Sequence, residues 1–378
     1  MPTPRADTYS AASGAGIYAG MPAPSSLPAW LAGKALNEWF EIPSTPLMAT
    51  GAAAQAFSGM ALADTGSGIH CVVAAAGGHT DSYDNRVVSL NLMADAPAWT
   101  LRHAATPLAS VVSDARYYAD GRPNSRHLYW NCTYVPQLDR VVLIGSQGNY
   151  SSGGGSPNVD AFNLNTNQWD GVVADQPGTS GSGYPDTSVV MVAPTINPAT
   201  GDLWTTSNYY YVYKWSATTK TTTQVGNSFG SQFSGQVVFD SGRNQLAVFG
   251  AVSGGVLQDA WLVALDGLSR RALTFNASAA YSAMLASADG SQNVVYDDVA
   301  DRFYWYRSNG TGTVYVITPN SGATWDVSIM SLGAGSATPV ASPFLFNRFS
   351  FVKRLGGLVY FPASAAAPSA NGYFLRPR

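Results

Sequence analysis

The segment Gly235–Thr274 constrains this chain most, because it reads as four short strands in immediate succession. Gln236–Phe239 is the first, and Asp240-Ser241-Gly242-Arg243 turns it back into Gln245–Phe249. A glycine-rich loop, Ala251–Gln258, leads to Ala260–Leu265, and Asp266-Gly267 makes a tight turn into Arg270–Thr274. Val, Phe, Leu and Trp suit a pleated, half-buried surface. Asp-Gly between apolar runs supplies the positive φ angles of a hairpin turn. A lone four-strand meander cannot cover its faces and edges, so the segment implies copies of itself.

The copies are present. Residues 127–173 contain LYWNCTY, a turn at Pro136–Asp139, RVVLIG, a long Gly/Ser loop, VDAFNL and QWDGV. Residues 186–225 contain VVMVAP, a turn at Asn197–Gly201, DLWTTS, YYVYKW and TTTQV. Residues 291–328 contain NVVYDD, RFYWYR, TVYVIT and ATWDVS, and residues 57–101 have a weaker first strand before IHCVVAAAGG, NRVVSLNL and AWTL. The last copy, 347–376, stops after three strands: RFSFVK, GLVYFP and GYFL. Its missing fourth strand stands at the other end of the chain, where Glu38–Ile42 matches the pattern of Ala98–Leu101 and Thr324–Val327. A ring closed this way completes its last blade and leaves only short, protected edges. The expected fold is therefore all-β, a propeller of six four-stranded blades over 37–376, sealed by strand 38–42 and preceded by an extended arm, 1–36.

The chain resembles kelch-type β-propellers, including the propeller domain of galactose oxidase-like proteins. The resemblance rests on Gly77-Gly78 after a second strand, Asn85 opening a third, and Trp99 or Trp169 in a fourth. Asn163–Trp169 is the best single match, and the double glycine stands in one unit. The resemblance would imply copper chemistry only with two histidines, two tyrosines and a cysteine in place. His70, His79, His103 and His127 include no pair at the spacing of neighbouring ligands. No copper, other metal or cofactor is expected.

Charged residues make up 11% of the chain, against about 25% in an ordinary soluble domain. The only lysines are Lys34, Lys214, Lys220 and Lys353, and the only glutamates Glu38 and Glu41. The net charge of −3 lacks the basic footprint of a nucleic-acid partner. No apolar run approaches the ~18–20 residues of a membrane helix, and Met1–Tyr18 does not read as a secretory signal. The Gly/Ser/Thr/Asn/Tyr-rich composition resembles an extracellular or virion β-protein, so a virion or extracellular location is expected. Residues 1–29, rich in Ala, Gly, Ser and Pro, read as a segment unable to bury much surface alone, and 30–36 as one helical turn. The functional expectation for the arm is attachment to another subunit of an assembly. Cys71 and Cys132 read as buried thiols, with a disulfide between neighbouring blades as the alternative.

Two sets of loops emerge on one face of such a ring: those between units, and those between second and third strands. Binding residues concentrate on loops held by a rigid scaffold. The 102–126 connection holds Asp114, Arg116, Tyr117, Tyr118, Asp120 and Arg122, the densest polar and aromatic cluster in the chain. Tyr83, Tyr150, Tyr184 and Tyr209 lie at or near other loops of this face. Flat rings and amide or carboxylate groups together suit carbohydrate. The leading expectation is a non-enzymatic binding or assembly module recognising a glycan or surface protein through Tyr83, Tyr117, Tyr118, Arg122, Tyr150, Tyr184 and Tyr209. The alternative is a glycan hydrolase or lyase using Asp114 and Asp120 with Arg116, since glycoside hydrolysis needs two carboxylates across the bond. An Asp/Arg/Tyr set also resembles that of sialidases, and Thr318–Trp325 resembles their Asp-box turn. Asp81, Asp84 and Asn85 offer clustered oxygens for calcium, though a turn accounts for them equally.

Overall fold

The structure is a computed structural model. It describes residues 27–50, 57, 59–78, 81–145, 147–151, 159–170, 194–206, 212–226, 236–250, 252–253, 256–257, 260–288, 292–342, 344–364 and 366–377. Six four-stranded antiparallel blades form a β-propeller, with a short parallel strand added to the fifth. The innermost strands, in chain order, are Ala61–Asp64, Cys132–Val135, Thr195–Ile196, Gln236–Asp240, Asn293–Asp297 and Phe349–Val352. Each blade then runs outward, as in blade 1 from Ala61–Asp64 through Ile69–Ala74 and Val87–Asn91 to Trp99–His103.

The near-continuous apolar runs follow from burial on both faces of each blade. In the second strand of blade 1, Ile69, Cys71 and Val73 pack toward blade 6, while Val72 and Ala74 pack toward blade 2. The same alternation builds one apolar cluster at each blade interface around the ring. It also separates the two cysteines. Cys71 faces blade 6, Cys132 belongs to the blade 1–2 interface, and both are free thiols, so the disulfide alternative falls.

Ring closure follows the expected route. Trp39–Ile42 pairs antiparallel with Gly372–Leu375, Trp39 opposite Leu375. The outer edge of this closing strand is itself covered. Trp39 N donates to Ser336 Oγ at 3.0 Å, and Ala337 N donates to Trp39 O at 2.8 Å. Trp30 and Leu31, inside the segment expected to be an extended arm, are buried against Phe40 and Phe374.

Several local features depart from the sequence reading. Tyr129 and Trp130 form a turn, not a strand, and the first strand of blade 2 starts at Cys132. Tyr129 takes a φ of 50° there, and Asn131 N donates to Leu128 O at 2.7 Å. In blade 3 the first strand is Thr195–Ile196, and most of the expected VVMVAP strand lies outside the described residues. The connection after blade 4 contains a helix, Ala279–Ser287, capped by the Ser278 hydroxyl. Just before it, Thr274–Phe275 adds in parallel to the outer strand of blade 5, Thr324–Ile329. No helix among the described residues is long and apolar enough to cross a membrane.

Candidate functional site

The inner strands surround a central cavity of about 290 Å³. Its loop-face end is closed by side chains. Trp130 of blade 2 reaches across the axis, and its Nε1 donates to Asn293 Oδ1 of blade 5 at 3.2 Å. Gln236 Nε2 of blade 4 donates to the same oxygen at 2.6 Å. Asn347, before blade 6, donates to Cys132 O at 2.6 Å and accepts from Met60 N at 2.8 Å. Phe346 packs edge-on against Trp130 at 4.7 Å. The loops between blades 1 and 2 on this face carry most of the tyrosine, arginine and aspartate candidates.

Three loops meet there: 75–86 within blade 1, the 104–127 connection, and the start of the loop after Ile144 in blade 2. The double glycine is required by their close approach. A Cβ on Gly77 would lie 2.3 Å from Ser82 O and 2.5 Å from Ser125 Oγ, and Gly78 has a φ of 105°. Ser125 Oγ donates to Ser82 O at 2.5 Å. Asn85 is fully buried, and its amide bridges Thr106 Oγ1 and Pro123 O, each at 2.9 Å. Below these loops, Arg126 and Asp160 form a buried ion pair at 2.6 Å, and the Tyr117 hydroxyl donates to the same carboxylate at 3.0 Å.

This framework brings four of the expected tyrosines together. The Tyr118 hydroxyl donates to Tyr83 O at 2.9 Å, and burial raises its phenol pKa. Tyr150 N is held by Asn124 Oδ1 and Ser125 O, both at 3.1 Å, and Tyr150 O accepts from Asp114 N at 2.9 Å. Tyr83 and Tyr150, both half-buried, meet edge to face with centroids 5.9 Å apart and planes 70° apart. The result is a shelf whose two outer rings are partly open to solvent and whose supports, Tyr117 and Tyr118, are committed to hydrogen bonds. Tyr184 and Tyr209 lie outside the described residues.

The polar candidates lie on two turns of the 104–127 connection. Asp120 accepts from Arg122 N at 3.1 Å and pairs with Arg122 Nε at 3.3 Å, closing the tip of the Tyr118–Arg122 turn. Arg122 also donates to Ala104 O at 2.9 Å. Asp114 is exposed on a separate turn, with a φ of 55°. Arg116 O accepts from Asn124 N at 3.0 Å. The calcium candidates diverge: Asp81 bonds His127, Asp84 pairs with Arg86 at 2.6 Å, and the Asn85 amide faces inward. Among the described residues, no group of three His, Cys, Asp or Glu side chains could hold a metal ion.

Sequence reasoning missed one constellation. His127 Nε2 is hydrogen-bonded to Asp81 Oδ2 at 2.7 Å, with Phe57 stacked on the ring at 4.5 Å and the Tyr129 hydroxyl 3.3 Å from Nδ1. Burial, with Asp81 nearby, pushes the Tyr129 phenol up to about 12. The two partners are 46 residues apart, so only the approach of two loops joins them. Asp160 was missed for the same reason, being a lone acid within a strand.

No family model matches the chain, and no curated protein matches it in sequence. Solved structures do. The structure of YjhT superposes with a TM-score of 0.50 and 13% identity, covering 88% of this chain and 94% of that one. A structural genomics protein of unknown function from Bacteroides thetaiotaomicron gives a TM-score of 0.48 and 11% identity, covering 89% and 75%. At such identities the likeness concerns the fold.

Proposed function

We propose that this propeller is a kelch-type, non-enzymatic binding module that takes carbohydrate on the Tyr83–Tyr150 shelf. We further propose that it works as a component of a virion or cell surface, attached through its N-terminal arm. The observation that carries the reading is the pairing of two half-exposed tyrosine rings on loops that are cross-linked before any ligand arrives. A sugar's CH face packs against such a ring, while the phenol hydroxyl meets its hydroxyl groups. Pre-ordering the loops lowers the entropy lost on binding. The kelch assignment is supported by the close approach at Gly77, by the buried Asn85 amide, and by Trp99, whose Nε1 donates to Thr45 O at 3.1 Å. The composition supports the surface location.

The test is a glycan array on the purified protein, read for both retention and product release, followed by titration of the best ligand into Tyr83→Ala and Tyr150→Ala. Retention without turnover, weakened about tenfold or more by either substitution, is the expected result, since stacked aromatic residues are typical binding hot spots. Product release that disappears in Asp114→Asn or Asp120→Asn would replace this reading with the hydrolase alternative. Retention unaffected by either tyrosine would move the site elsewhere.

A further inference from the structure

Resting on the tyrosine shelf as the binding surface, we infer that the shelf reads a single sugar unit at the end of a chain or branch, and does not grip successive units of an extended polysaccharide. The inference comes from the relative geometry of the two rings. The Tyr83 and Tyr150 centroids are 5.9 Å apart and their planes 70° apart, an edge-to-face pair. In such a pair one ring stands on the face of the other. A sugar laid flat against the standing ring therefore rests its rim on the base ring. Together the rings make one corner, about as wide as one six-membered sugar. A rim so covered has no room for a linkage, so the unit that fits best has only one neighbour.

An extended β-1,4-linked chain asks for another arrangement. Its units lie in a row, and gripping two of them takes two rings side by side, each flat against its own unit. Rings at 70° cannot both do so. The backbones behind this angle are fixed before a ligand arrives, because one relay of hydrogen bonds joins them. The Tyr118 hydroxyl donates to Tyr83 O at 2.9 Å and accepts from Ser125 N at 3.3 Å, while Ser125 O accepts from Tyr150 N at 3.1 Å. Both tyrosines thus hang from one connection, and flattening the pair would break its edge-to-face contact.

The experiment uses the full chain and two sugars, glucose and N-acetylglucosamine, each as the methyl glycoside and as β-1,4-linked oligomers of two to six units. If neither series binds, the best-retained terminal sugar of the glycan array replaces them, as its methyl glycoside and on its longest stem. Affinity is expected to stay within about threefold from the single unit to the longest form. Tyr83→Ala and Tyr150→Ala should each weaken the single unit and the longest form by the same factor, because both rings touch the same unit. A rise of about tenfold or more with length, the mark of rings stacked on separate units, would overturn the inference while leaving the shelf reading intact. So would a substitution that weakens the long form and spares the methyl glycoside. A silent array, or binding that neither substitution changes, would remove the shelf reading and this inference together.

Discussion

The indole Nε1 of Trp130 donates to Asn293 Oδ1 at 3.2 Å, although these residues belong to blades 2 and 5, opposite each other in the ring. Adjacent blades are held by apolar clusters, whereas this bond spans the axis. It forms because Trp130 sits in a turn before its strand, which frees the side chain to enter the channel instead of packing between blades.

Trp130→Phe should cost about 1 kcal/mol, the net worth of one hydrogen bond, because Asn293 Oδ1 keeps the Gln236 donor. Trp130→Ala should cost about 3–5 kcal/mol, since it also opens a cavity beside Phe346. Chemical denaturation of the two variants checks this. Equal losses would mean that the ring fills space no better than the donor bonds.

Trp39 should be the most sensitive position of the closing strand. It is 1% exposed, its Nε1 donates to Gly312 O at 2.8 Å, and it packs on Tyr306 at 5.4 Å. Trp39→Ala is expected to lose about 3–5 kcal/mol. Removal of residues 1–42 should leave Gly372–Leu375 as a bare sheet edge and produce concentration-dependent aggregation, read by light scattering. A truncated chain that stays monomeric and folded would show that closure is dispensable.

Asp160→Asn should destabilise the fold by about 3 kcal/mol, because it leaves the Arg126 guanidinium buried beside a neutral amide. The double variant Arg126→Met, Asp160→Leu should recover most of that loss, since no charge then remains buried. Thermal denaturation of both, beside titration of a shelf ligand, separates global stability from loop positioning.

Acid should weaken the fold through its histidines. Burial, aided by the Arg102 charge, lowers the pKa of His70 from its ordinary value of 6.5, with Asp64 opposing. Burial likewise lowers that of His103, with Arg122 adding to it and the Asn167 carbonyl and Asp120 opposing. Below pH 6.5 the unfolded chain takes up protons that the folded chain refuses, so stability falls until pH reaches the lower folded values. Above about pH 7.5, where the unfolded histidines are also deprotonated, these residues contribute no pH dependence. His70→Gln should therefore flatten the unfolding free energy between about pH 7.5 and 5. An unchanged slope would refute the assignment.

The meander of Gly235–Thr274, its copies and the orphan strand at Trp39 were legible in the sequence because each is a local pattern. Apolar runs bounded by turn residues specify strands, and counting them specifies blades. Tyr83, Tyr117, Tyr118 and Tyr150 could be named as loop residues for the same reason. What local pattern cannot carry is distance between loops. Nothing in the sequence joins His127 to Asp81 or Tyr83 to Tyr150, because these contacts exist only once blades 1 and 2 pack and their loops interleave, and Arg126 meets Asp160 only once the connection folds back on blade 2. The Trp130 plug is the extreme case: its run of apolar and aromatic residues reads as strand, and only the vacant axis of a closed ring, with Asn293 waiting across it, favours a turn that sends the indole inward. The repeat, the strand count and the sealing strand are local patterns and follow from the order of residues alone. Which side chains converge emerges only on folding, because convergence is a property of packing between units that the chain encodes one at a time.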